Sequence, residues 1–409
     1  MEFLTRKMIN DPVHGFITIN DPLIFAIFNH PFFQRLRRVQ QMALAQLVYP
    51  GAVHTRLHHS LGAYQLMCTA INELKDKGVE ITPAEAQAAK AAILMHDIGH
   101  GPYSHALEHV LLKGVHHEAL SLLIMQHLNA DPNPVLHGQL DVAIQIFTNQ
   151  YPKTFLHQLI SGQLDVDRLD YLSRDSFFTG VSEGVVGYER ILKMLNVKNN
   201  ILLVEEKGIN SVEKFLVSRR LMYWQVYRHK TVIAAENMLV KIIQRAQQLV
   251  KAKDSSISVG GILDYFLSNE FTALEQIDIA SYCQLDDTDI MFAIKKWQSH
   301  PDPILSLLCN RLLNRKIYKC QLQSEPITEA ALSEAVIATK TRFNVDDEAA
   351  AFLCFKGETS NTLYKNDSEN IHILLKKGEI STISEVQNAL IVESLSTPVK
   401  KFYICSLSE

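Results

Sequence analysis

The sequence lacks the marks of several large protein classes. Six cysteines (Cys68, Cys283, Cys309, Cys320, Cys354, Cys405) are scattered over 409 residues with no CxxC spacing. That excludes a disulfide miniprotein and points to buried thiols in a reducing compartment. No apolar run approaches the ~18 residues a membrane helix needs; the notable one is the short stretch 91–95. The opening Met1-Glu2-Phe3-Leu4-Thr5-Arg6-Lys7 has no apolar core of a secretory signal, so a cytoplasmic protein without membrane association is expected. Charge of one sign is scarce: 40 basic against 44 acidic residues give −4. A polyanion-binding protein is usually basic, which speaks against nucleic acid as a partner. Internal repeats and low-complexity tracts are missing as well.

What is present is ordinary in amount and uneven in placement. Apolar residues make up 47% and charged residues 21%, as in a globular protein, and the length suggests two domains. Twelve of the 17 histidines lie between His54 and His157. Histidine titrates near neutrality and is the commonest metal ligand, so this quarter of the chain is where chemistry is expected.

Apolar spacing predicts helices over 61–74, 83–95, 104–112, 117–128, 134–148, 153–161 and 165–174, then one long helix over 209–251. The helix at 83–95 is the best signposted. Thr82 is placed to cap it, Pro83 takes the first turn, Glu85 completes a capping box, and Gly99 and Gly101 stop it. His96 and Asp97 therefore sit at its C-terminal end beside a glycine turn. The Asp254-Ser255-Ser256 to Gly260-Gly261 stretch reads as a boundary. Helices at 261–268 and 286–298 follow, then strand-like segments at 351–355, 371–375 and 401–405. The expected architecture is mainly α: a helical core over 1–255, including an N-terminal segment 1–50, and a smaller C-terminal α+β region over 256–409 that supports or assembles it.

The strongest chemical signal is the set His59, His96, Asp97 and Asp167. Imidazole nitrogens with carboxylate oxygens suit Mn, Fe, Zn or Mg, and helical proteins build such sites from facing helices. An isolated His-Asp pair is most often a structural hydrogen bond. Two neighbouring segments shift the balance here: His54-Thr55-Arg56-Leu57-His58-His59 upstream and Asp165-Val166-Asp167-Arg168-Leu169-Asp170-Tyr171 downstream.

These residues resemble the HD-domain metal phosphohydrolases. The resemblance sharpens with Arg56-Leu57-His58-His59-Ser60-Leu61-Gly62, with His96-Asp97-Ile98-Gly99-His100-Gly101-Pro102-Tyr103-Ser104-His105, with His117-Glu118 and with the run from Asp165 to Asp175. That combination is similar to the deoxynucleoside triphosphate triphosphohydrolase branch, over roughly residues 7–250. Asn10-Asp11-Pro12-Val13-His14-Gly15 and Gln34-Arg35-Leu36-Arg37 fit it too.

The resemblance implies an HD-domain helical core holding one divalent ion on His59, His96, Asp97 and Asp167, with a second Mg accompanying the triphosphate. It implies hydrolysis of a dNTP at the α-phosphorus to deoxynucleoside and tripolyphosphate. Arg56 would hold the α-phosphate, with Arg168, Arg219 and Lys230 as further phosphate contacts. His105 would be the general acid near the leaving 5′-oxygen, with His117 and Glu118 tuning the proton and His100 beside them. Tyr171 and Asp175 match sugar positions, Tyr227 and Met42 would pack under the sugar, and Gln41 would touch the base edge. Lys7, Asn10, Asn29, Gln34 and Arg37 match part of a regulatory nucleotide site, and a homo-oligomer (dimer or tetramer) is implied by analogy. Two other functions compete: a phosphatase or phosphodiesterase on another nucleotide, and a non-catalytic, nucleotide-responsive binding protein.

Overall fold

The structure is a computed structural model and describes residues 6–361, 370–386 and 399–408. Among the described residues it is mainly α-helical, with three small sheets. The helices Arg56–Asp76, Pro83–Met95 and Val166–Thr179 pack on one another and carry the expected ligand set between them. Apolar residues from Ile17 to Leu407 join in a single buried cluster, so helices after residue 255 share the core of those before it.

Local chemistry explains most of these elements. Thr82 Oγ1 accepts from Glu85 N at 3.2 Å, and Glu85 Oε2 accepts from Thr82 N at 2.8 Å, which is the expected capping box. Glu85 also accepts from Tyr151 Oη and Lys153 Nζ, both at 2.9 Å, fastening the start of the His96 helix to the segment that follows the Asp141–Phe147 helix. At the other end, Ser121 Oγ donates to His96 O at 2.7 Å and accepts from Gly99 N at 2.9 Å. A Cβ on Gly99 would lie 2.2 Å from His117 O, so only glycine lets the His117–Asn129 helix approach this closely.

Several expectations are corrected. The helix over 209–251 is interrupted: Ile209–Met222 runs into a π-helical stretch Tyr223–Tyr227, and a new helix Lys230–Lys251 starts with His229 as its cap. The 104–112 helix is split into a 3-10 turn Ser104–Ala106 and a short helix Glu108–Leu111, because Tyr103 and Ser104 both adopt left-handed backbone (φ 52° and 50°). Of 134–148 only Asp141–Phe147 is helical; Asn133 and Asn129 side chains accept backbone amides before it and hold turns there. The strand read at 351–355 begins instead at Cys354. Asp346 caps a helix Asp347–Leu353 through Ala349 N at 2.8 Å.

The N-terminal segment forms a hairpin, Lys7–Asp11 paired with Gly15–Ile19. Four strands order as Leu195–Lys198, Ile201–Glu205, His372–Leu374 and Ile380–Thr382, and three more as Lys319–Gln323, Val399–Ser406 and Cys354–Asn361. Among the described residues no helix is long and apolar enough to cross a membrane.

Candidate active site

Four side chains from three helices converge. His59 Nε2 lies 3.2 Å from His96 Nε2, 3.0 Å from Asp167 Oδ1 and 3.5 Å from Asp97 Oδ2. His96 Nε2 lies 3.4 Å from Asp97 Oδ1 and 3.4 Å from Asp167 Oδ1. The opposite face of each ring is tied down. His59 Nδ1 donates to Asp170 Oδ2 at 2.7 Å, and His96 Nδ1 donates to Ile93 O at 2.7 Å. Those bonds place the N–H on Nδ1 and leave both Nε2 lone pairs facing the carboxylates, the tautomer a cation needs. The donor set therefore fits a divalent cation.

A proton competes with a cation for these Nε2 positions. Burial pulls the His59 imidazole down, but its hydrogen bonds to Asp167 and Asp170 and the charges of Asp170 and Asp97 outweigh it and raise it to about 10. Burial likewise opposes, and the imidazoles outweigh, so that Asp167 stays below the usual carboxylate range.

Asp170 is fully buried under His59. Its Oδ1 accepts from His14 Nε2 at 2.6 Å and Arg174 Nη2 at 2.9 Å; its Oδ2 accepts from His59 and from Arg174 Nε at 2.9 Å. Arg174 continues to Asp11, 2.7 Å away, so the hairpin is fixed to the underside of the site. A Cβ on Gly62 would fall 1.9 Å from Asp170 Oδ1, which explains the glycine in the middle of a helix.

Beside this cluster lies a second group. His100 and His117 stack at 3.9 Å, and His105 stands edge-on to both at 4.9 and 5.1 Å. Glu108, not Glu118, is the acid that engages them: its carboxylate accepts from His105 Nδ1 at 3.0 Å and His117 Nδ1 at 2.7 Å. Glu118 is exposed in the first turn of its helix. Burial, with the nearby Arg56 charge, pushes His100 well below the usual imidazole range, so it is neutral at pH 7.

Of the expected substrate contacts, Arg56 is buried and pairs with Asp97 Oδ2 at 2.5 Å. Asp175 accepts from Tyr227 Oη at 2.8 Å and from His54 Nε2 at 2.7 Å. Tyr171 stands edge-on to both His59 (6.4 Å) and Tyr227 (6.3 Å), which ties this patch to the ligand set. Met42 is buried, and the Gln41 side-chain oxygen is buried without a hydrogen-bond partner. Arg168 turns back to the helix-capping Asp165, and Lys230 is exposed at the start of its helix. Arg219 is partly buried, close enough for its charge to act on Tyr171 and Tyr227.

The regulatory set is divided. Lys7 sits 4.6 Å above the Phe28 ring, Gln34 Nε2 donates to Phe28 O at 2.6 Å, and Arg37 Nε donates to Gln34 Oε1 at 2.7 Å. Asn10 is exposed on the hairpin, and Asn29 is exposed in a groove with Pro22, Phe25 and Val135.

Sequence reasoning missed His14, Glu108 and Arg174. Glu108 had a readable signal, three residues after His105 on a helical spacing. His14 and Arg174 depend on pairings 156 and 163 residues apart.

Helices presenting a two-imidazole, two-carboxylate cluster, with arginine at its edge, are the arrangement of an HD-type metal site. Comparison with known proteins agrees. Residues 56–175 match the HD domain and residues 186–259 the HD associated region. The uncharacterized protein YwfO of Bacillus subtilis is 31% identical over 399 residues, covering 96% of this chain and 89% of that protein. A solved phosphohydrolase from Bacteroides thetaiotaomicron superposes with TM-score 0.93 at 46% identity, over 98% of this chain and all of that one. The Danio rerio deoxynucleoside triphosphate triphosphohydrolase SAMHD1 is 26% identical over 371 residues, 80% of this chain and 57% of that enzyme. The chain belongs to the HD-domain phosphohydrolase family, whose HD domains bind divalent metals.

Proposed function

We propose that the protein hydrolyses deoxynucleoside triphosphates to deoxynucleoside and tripolyphosphate. The observation that carries this reading is the adjacency of the ligand cluster to the Asp175 clamp, joined through Tyr171. The cluster is suited to a phosphoryl centre, and Asp175, held by Tyr227 and His54, is suited to a sugar hydroxyl.

His59, His96, Asp97 and Asp167 would hold the divalent ion. When bound, such an ion supplies Lewis acidity at a phosphoryl oxygen and lowers the pKa of water. Arg56, fixed against Asp97, neutralises charge on the α-phosphate, and Arg219, Arg168 and Lys230 meet the outer phosphates. Arg168 must leave Asp165 to do so. A second Mg travels with the triphosphate.

Glu108 fixes the Nδ1–H of His105 and of His117, leaving each Nε2 to carry a proton. His105, exposed, delivers it to the leaving 5′-oxygen, and His117 with the neutral His100 stacked on it relays it. Asp175 accepts the 3′-hydroxyl, Tyr227 and Met42 line the sugar, and the Gln41 oxygen meets the base edge. Glu118 has no place in this relay. We include a homo-oligomeric state and a regulatory nucleotide at Lys7, Asn10, Asn29, Gln34 and Arg37 in the reading, with residues 256–409 as the supporting region.

The test is a panel of the four dNTPs with Mn, followed by phosphorus NMR of the products. Tripolyphosphate as the released anion supports the reading. Pyrophosphate or orthophosphate would transfer the enzyme to another phosphohydrolase reaction. Binding without turnover would make it a nucleotide-responsive binder.

A further inference from the structure

Asp287 lies outside both the HD domain at 56–175 and the HD associated region at 186–259, in a region so far assigned only support. It is the first residue of the helix Asp287–Trp297, yet it does not serve that helix. Asp286 is the cap and accepts from Thr288 N at 2.9 Å. Both Asp287 oxygens point elsewhere. Oδ2 accepts from Gln40 N at 2.8 Å, and Oδ1 accepts from Tyr103 N at 2.7 Å. The side chain is buried, with 7% of the residue exposed.

The two segments it joins lead straight to the site. Ser104 Oγ donates to Gln40 O at 3.1 Å and accepts from Arg56 Nε at 3.0 Å. Arg56 then reaches Asp97. Tyr103 and Ser104 are consecutive non-glycine residues in left-handed backbone. Such residues persist only where the surroundings over-determine them. Asp287 grips the amide of the first. The buried Arg35 grips the other end of the same loop, with Nη2 donating to Ile98 O and His100 O at 2.9 Å and Nη1 to Leu285 O at 3.0 Å.

We propose that Asp287 is a positioning residue for the hydrolytic site: its carboxylate clamps segments 40–41 and 103–104 together so that Ser104 aims the Arg56 guanidinium at Asp97 and at the phosphate. The reaction named here rests on the phosphohydrolase reading; the clamp itself does not.

The experiment compares full-length wild type, Asp287→Asn and Asp287→Glu, all loaded with Mn. Asparagine keeps the shape but turns an NH2 toward one of the two amides; glutamate keeps the charge. The expected result for Asp287→Asn is a kcat lowered about tenfold to a hundredfold with KM little changed and metal content equal to wild type. Hydrogen exchange should quicken in 38–42 and 99–106 but not in the Val166–Thr179 helix. Asp287→Glu should recover part of the rate. Uniform faster exchange over the whole chain would reduce Asp287 to a general stabiliser, and unchanged exchange with unchanged kcat would remove it altogether; either overturns the proposal. If wild type hydrolyses no nucleotide, the reaction assigned above fails, and exchange alone still decides the clamp.

Discussion

Replacing Asp170 with asparagine tests how the buried network under His59 supports the metal ligands. Asp170 accepts four hydrogen bonds: from His14 and Arg174 on one oxygen, from His59 and Arg174 on the other. Asparagine offers one oxygen and one NH2, so two of the four donors face another donor. Each charged hydrogen bond is worth about 1.5–3 kcal/mol, and breaking a buried ion pair costs about 3–5 kcal/mol. Arg174 keeps Asp11 as a partner at 2.7 Å, which places the loss toward the low end, about 3 kcal/mol. If the NH2 takes the His59 side, the ring loses the acceptor that fixes its tautomer, and metal affinity should fall about tenfold to a hundredfold. Urea unfolding of the metal-free protein reads the first effect, and calorimetric titration with Mn reads the second. A variant within about 0.5 kcal/mol of wild type, binding Mn equally well, would refute the reasoning.

Gly62→Ala drives a methyl group into the same Asp170–Arg174 pair. Thermal unfolding should show a loss of about 3 kcal/mol or more, with weaker Mn binding, whereas an ordinary helical glycine replaced by alanine gains stability. Glu85→Gln should cost about 1–2 kcal/mol at pH 7. Burial pushes the Glu85 carboxyl up, but its bonds to Lys153, Thr82 N and Tyr151 outweigh it and hold it below its ordinary value. A carboxylate lowered on folding stabilises above its unfolded pKa of about 4.3, and this is lost as pH falls through the lower folded value. Unfolding curves of wild type and Glu85→Gln should therefore converge on acidification; a constant gap from pH 7 to pH 3 contradicts the assignment.

Much of this was legible in the chain because it is local. Thr82, Pro83 and Glu85 start the His96 helix, and glycine ends it, within one stretch of sequence. The His59, His96, Asp97 and Asp167 set was readable because each member sits in a recognisable segment. Asp165 and Asp170 flank Asp167 without joining the set: Asp165 caps the Val166–Thr179 helix, and Asp170 pairs with Arg174. The rest depends on contacts that spacing does not encode. The π-helical turn at Tyr223–Tyr227 keeps helical periodicity on both sides and so reads as continuous helix. Glu108 and Glu118 both lie near histidines in the sequence, and the fold brings Glu108 to both His105 and His117. Asp287 meets Tyr103 across 184 residues.

The central claim is that His59, His96, Asp97 and Asp167 share one cation. The most direct measurement is the metal content of the purified, Mn-reconstituted protein by elemental analysis, wild type beside Asp167→Ala. One tightly held ion per wild-type chain and almost none in the variant are expected, with both folded by circular dichroism. Equal metal in the two proteins, or none in wild type, would contradict it.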